Sequence, residues 1–168
     1  MAHLVTFRTT RFDPASEPAN PINPIAGHAV LLWLSEPLRN AGFVCGEPAA
    51  EDWGWYLDVT GQGATYLLGA SGEGEPGGKD PIDWTIQVHR HRSLSDKLFG
   101  RNAHAADDAL TTLVERLVRA QPGFEEIEGR SLLESLRSQG AARGVVSNAA
   151  KVDDIAPGPA GFTITVGD

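Results

Sequence analysis

Glu51-Asp52-Trp53-Gly54-Trp55-Tyr56-Leu57-Asp58-Val59 and Asp83-Trp84-Thr85-Ile86-Gln87-Val88-His89-Arg90-His91-Arg92 decide the fold class, because both stretches alternate with a period of two. That period belongs to a strand buried on one face and open on the other. In the first stretch Trp53, Trp55, Leu57 and Val59 fall on the expected inner side, with Asp52, Tyr56, Asp58 and Thr60 opposite. The second sends Trp84, Ile86 and Val88 inward and leaves Thr85, Gln87, His89 and His91 outward.

Working outward, Leu4 to Thr10, Phe43 to Gly46 and Ala64 to Ala70 read as further strands, and Gly61-Gln62-Gly63 as a hairpin connection. Pro14, Pro18 and Pro21 keep the segment 13–23 out of regular structure. Asn23 and Pro24 suit a helix cap and first helical position, so a helix is expected from about Pro24 to Asn40, with Val30, Leu31, Leu34 and Leu38 at core spacing. Pro37 is expected to kink or split it. A second helix is expected over His104 to Ala120, where Leu110, Leu113, Val114, Leu117 and Val118 form an apolar stripe. Asp107 and Asp108 stand at its positive end. Ser131-Leu132-Leu133-Glu134 resembles a capping box that opens a shorter third helix. Residues 71–80 form a Gly-rich loop, and the chain is loop-like from about 147, with Phe162 to Val166 as a further edge strand. The expected architecture is one α+β domain over 1–168. It is a two-layer sandwich of a mostly antiparallel sheet of four to six strands, with the two long helices on one face.

Composition narrows the function classes. The net charge of −8 argues against nucleic-acid binding by counterion release, and the longest dense apolar run, Ala29 to Leu34, is too short to span a bilayer. The N-terminal stretch lacks the apolar core of a signal peptide, and the single cysteine, Cys45, fits a reducing compartment. A cytoplasmic location is expected. Charge is uneven: eight acids face Lys79 between Glu47 and Asp83, and Arg90, Arg92, Lys97 and Arg101 follow as a candidate basic patch. Mutual neutralisation of neighbouring strands is the simpler account of that asymmetry.

The outward residues Asp52, Gly54, Tyr56, Asp58, Gln87, His89 and His91 form the candidate site. His89 and His91 project from one strand face about 7 Å apart and can present two metal ligands, whereas zinc needs three or four. In a simple meander the Ala64 to Ala70 strand separates these histidines from Asp52 and Asp58 by roughly 10 Å. A His with an orienting Asp also suits general acid/base work, provided the two touch. Gly69-Ala70-Ser71-Gly72-Glu73 lacks the closing glycine of a nucleophile elbow, and Cys45 follows a helix rather than opening one. The Gly-rich loop has no Gly-Lys-Ser/Thr ending. Core packing is the stronger account of Trp33, Trp53, Trp55 and Trp84. Gly54 within a strand marks a bulge or a close approach, expected as a notch beside Asp52 and Tyr56. No cofactor and no metal are expected. The favoured function is a non-catalytic module that binds another protein, and the alternative is a small-molecule or metal-dependent enzyme on the polar sheet face.

Overall fold

The computed structural model describes residues 2–74, 77–91, 108–134 and 136–137. Its elements are β1 (Ala2–Thr9), a 3-10 turn (Pro14–Ser16), α1 (His28–Asn40), β2 (Val44–Cys45), β3 (Ala49–Glu51), β4 (Gly54–Gly61), β5 (Ala64–Glu73), β6 (Ile82–Arg90), α2 (Ala109–Ala120) and β7 (Glu125–Ser131). The Pro-rich segment is thus not wholly irregular, since Asp13 caps a single turn that starts at a proline, and the expected Gly-rich loop over 71–80 loses Ser71, Gly72 and Glu73 to β5, where they pair with β6. Residues 132–134 and 136–137 are helical. The seven strands form one antiparallel sheet in the order β2-β4-β5-β6-β1-β7, with β3 also paired to β4. The chain divides into two compact units, Met1–Ser135 and Leu136–Asp168. The first carries the sheet and both long helices. The expected strand at Phe162 to Val166, the residues before Asp108 in the second expected helix, and Arg92, Lys97 and Arg101 lie outside the described residues.

The two alternating stretches become the neighbours on either side of β5, and their inner residues build the core. Trp55, Leu57 and Val59 of β4, Tyr66 and Leu68 of β5, and Trp84, Ile86 and Val88 of β6 are all buried. Both helices lay their apolar stripes on this side: Val30, Leu31, Leu34 and Leu38 of α1, and Leu110, Leu113, Val114 and Val118 of α2. Gln62 and Gly63, both at positive φ, close the β4–β5 hairpin between Gly61 and Ala64, the turn geometry that matches strand twist. The capping box forms as well, with Ser131 N–H donating to Glu134 Oε2 at 2.9 Å and Glu134 N–H to Ser131 Oγ at 3.3 Å.

Seven strands exceed the four to six expected, because β3 (Ala-Ala-Glu) and β7 (Glu-Glu-Ile-Glu-Gly-Arg-Ser) show no apolar alternation. Each pairs with a described strand along one side only. Such edge positions bury little and tolerate charge, which also blunts edge-to-edge association. β7 pairs with β1 through a register shift between Thr6 and Arg8, and Glu126 takes a φ of 50° there.

Helix α1 begins at His28 rather than at Pro24. The asparagine expected to cap it is engaged elsewhere, and the N-cap, Gly27, has no side chain to offer. Glu17 reaches in from the Pro-rich segment instead. Its carboxylate accepts from the N–H groups of Gly27 (2.8 Å), His28 (2.9 Å) and Ala29 (3.1 Å). Three orphan donors and the positive end of the helix dipole are satisfied by one remote acid. Pro37 does not split α1. It sits in the last turn, where little helix remains to be disrupted, and Leu38 beyond it is fully buried.

Candidate functional site

The outer face of the sheet, opposite the helices, carries the candidate residues, and its shape is set by the β3–β4 hairpin. Glu51 pairs with Gly54, so Asp52 and Trp53 are the two turn residues and the strand starts one position later than the alternation implies. Trp53 therefore leaves the inner series. Its indole crosses to the outer face, where Cη2 and Cζ3 would stand 2.6 Å from a Cβ on Gly69. Glycine at 69 is what admits the ring. Two side chains from the Pro-rich segment fix the turn: Asn20 Nδ2 donates to the carbonyls of Glu51 (2.9 Å) and Gly54 (2.8 Å), and Asn23 Nδ2 to that of Asp52 (2.7 Å). The two Asn-Pro-Ile triplets thus act as a clamp on the hairpin.

Gly54 opens no notch. It is buried, and a Cβ there would stand 2.4 Å from the Ala70 carbonyl oxygen; at Gly27 the same oxygen would be met at 2.2 Å. Two backbone segments close on one carbonyl of β5, and only glycine permits either approach.

Register places the remaining outward residues in rows across the sheet. One row runs Tyr56, Gly69, Gln87 and Leu4. The next runs Asp58, Leu67, His89 and Ala2, and a third Ser71, Thr85, Thr6 and Glu128. Asp58 and His89 share a row, but Leu67 of β5 stands between them at a two-strand spacing of roughly 10 Å. The acids and the imidazoles do not meet. His89 and His91 do: their rings are 5.7 Å apart between centroids, edge to face. Burial above all holds the His89 pKa below its usual value of 6.5. No group of three metal-ligating side chains occurs among the described residues. Tyr56, Leu67, Gln87, His89, Leu4 and Trp53 are half-buried, while Asp52, Asp58 and His91 are exposed. Arg90, assigned to the basic patch, turns inward instead, and its Nη1 lies 3.4 Å from Asp108 Oδ1.

The same face dips between β1, β6 and β7 into a depression of about 270 Å³, bordered by Thr6, Arg8, Thr85, Asp83, Glu126 and Glu128. Arg8 bridges Asp83 (2.9 Å) and Glu126 (3.3 Å) across it. Leu4, Leu67 and Trp53 belong to the site by position although the sequence does not single them out for it. Leu4 and Leu67 occupy outward positions of strands expected as such, so strict counting from the inner residues of each strand finds them. Trp53 gives no such signal, because only the Glu51–Gly54 pairing turns it over.

Beneath the sheet, Asp108 caps α2 by accepting from Leu110 N–H at 3.2 Å, and it also accepts from the Tyr66 hydroxyl at 2.8 Å. Burial, and then the Asp108 carboxylate, push the Tyr66 pKa upward. Cys45 is buried, with Sγ 3.9 Å from the Ser35 carbonyl, and burial raises its pKa too. Neither group is poised as a nucleophile or base. Compared with protein-family models, curated proteins and solved structures, the chain matches none. No described helix is long and apolar enough to cross a membrane.

Proposed function

We propose that the protein is a non-catalytic binding module that engages another protein through the outer face of its sheet, as an accessory, regulatory or immunity-type protein does. The observation that carries this reading is Trp53, held over Gly69 by a clamped hairpin, with Tyr56 and, beyond Gln87, Leu4 in the same row and Leu67 in the next. A pinned indole beside a phenol and aliphatic groups, with a polar surround, is the composition of an interface hot spot. Aromatic side chains already fixed in place lose little entropy on binding. A catalytic use of the same face has less support, since Leu67 separates Asp58 from His89. The net charge of −8 disfavours nucleic acid as the partner, and one buried reduced cysteine suits the cytoplasm.

The test is affinity capture from the cells that make the protein, comparing the wild type with Leu67→Glu, which puts a charge on the outer face without entering the core. A partner retained by the wild type and lost by the folded variant supports the proposal. Capture that ignores Leu67→Glu, or stoichiometric metal in untagged protein that His89→Ala and His91→Ala abolish, overturns it.

A further inference from the structure

The charges around the Trp53 patch have a sign that the partner must answer. Glu51 and Asp58 stand on the outer side of β3 and β4, Asp52 in the turn between them, and Glu73 at the far end of β5. None of these four carboxylates is paired with a base among the described residues, whereas Asp83, Glu126 and Glu128 are paired with Arg8 and Arg130. Glu73 even lies directly opposite Asp83 in the β5–β6 register. Among the described residues, the arginines on this side, Arg8 and Arg130, are thus already engaged, and unpaired carboxylates flank the aromatic centre.

From this complementarity we infer that the outer face takes a cationic protein segment, in which arginine or lysine alternates with apolar residues. The inference rests on the binding-module reading and names its partner class. An apolar residue covers Leu67 and Tyr56, which are diagonal neighbours on β5 and β4, a cationic side chain lies over the Trp53 ring with its head toward Asp58 and Asp52, and a second cation reaches Glu73. A second copy of the chain is the wrong occupant, since it would bring the same unpaired acids against these. A bare cation is served no better, because no three ligating side chains converge among the described residues.

The experiment is fluorescence anisotropy of a dye-labelled peptide of alternating arginine and leucine against the full chain. A glutamate–leucine peptide of equal length serves as the control. Binding of the arginine–leucine peptide is expected to weaken about ten-fold in Trp53→Ala, as for loss of an interface anchor. Asp58→Lys is expected to weaken it several-fold through the on-rate, with a steep dependence on salt. Glu36→Lys, an equal charge change on the exposed side of α1, leaves it unaltered. Asp58 is exposed, so its variant tests the proposal even if Trp53→Ala unfolds. No binding, equal binding of the glutamate peptide, or equal losses in Glu36→Lys and Asp58→Lys overturns the inference. The two ideas fail separately. A captured partner that depends on Leu67 but is acidic, or holds equally well at high salt, removes the cationic assignment and keeps the docking face. Peptide binding that depends on Trp53 and Asp58, with capture indifferent to Leu67→Glu, keeps the charge preference and removes the module reading.

Discussion

Asp108 shows how much one buried side chain can organise. Its two oxygens hold the first turn of α2, the Tyr66 hydroxyl of β5 and Arg90 of β6, so a helix is keyed to two strands through one carboxylate. Tyr66→Phe removes one donor and leaves Asp108 its other two partners, so a loss of about 1 kcal/mol is expected. Asp108→Ala removes the cap and leaves a hydroxyl on a 1 % exposed tyrosine without its acceptor, so the loss should be about 2–4 kcal/mol. Urea unfolding of the two variants checks the order, and equal losses would contradict this division of labour. His89 sets a pH dependence of definite sign. Its folded pKa lies below 6.5, so on acidification the unfolded chain takes up the proton first. Stability is therefore retained above pH 6.5, falls as the pH drops from there to the folded pKa, and loses no more from this residue below it. His89→Gln should flatten that part of the stability profile, and NMR titration should place the His89 midpoint below 6.5. A midpoint above 6.5 would reverse the sign.

At the scale of elements, the sequence makes legible what is local. Period-two alternation locates β4 and β6, the 3.6-residue stripe locates α1 and α2, and Ser131 with Glu134 announces the last cap. What escapes it depends on groups distant along the chain. The start of α1 is set by Glu17, ten residues before Gly27, and nothing in the helix itself records that the cap is borrowed. Asn23 has the right chemistry for a cap at Pro24, but the β3–β4 hairpin takes its side chain. Trp53 fits the inner series by spacing, yet a pairing between Glu51 and Gly54 makes it a turn residue and hands it to the outer face. The candidate site was legible as a face and not as a set of contacts, because strand order decides contacts, and β5 keeps Asp58 from His89. Two substitutions test the long-range parts. Glu17→Ala should weaken the fold by about 1–2 kcal/mol, as for loss of a cap at a helix dipole, with Glu17→Gln intermediate. Gly69→Ala should drive the Trp53 ring off the sheet at little cost in stability, since a side chain and not a backbone must yield. Red-shifted emission with easier acrylamide quenching would report the displacement, and an unchanged spectrum would mean that Gly69 does not hold the ring.

Across the whole molecule, the sheet order predicts where the fold is strongest. β5, β6 and β1 each have a described strand on both sides, and their inner residues Leu68, Ile86, Val88 and Val5 are almost wholly buried under the helices. The margins differ in kind. β2 is two residues long, β3 is three, and β7 exposes Glu125, Glu126, Glu128 and Gly129. Amide exchange proceeds through openings whose free energy follows local burial and pairing, so the sheet should open from its margins inward. The amides of β5 and β6 are expected to exchange only by global unfolding, and those of β2, β3 and β7 through smaller openings at lower free energy. The Trp53 hairpin makes this more than a statement about edges. β3 is marginal by length, but Asn20 and Asn23 tie its turn to the Pro-rich segment, and Gly54 is packed on the Ala70 carbonyl of β5. A binding platform built this way should therefore be more protected at Gly54 and Trp55 than β7 is at Ile127 and Gly129. Native-state hydrogen exchange by NMR resolves those amides individually. Exchange at Gly54 as fast as at Gly129 would mean that the clamp does not hold the platform, and the rigidity on which the docking reading depends would be lost with it.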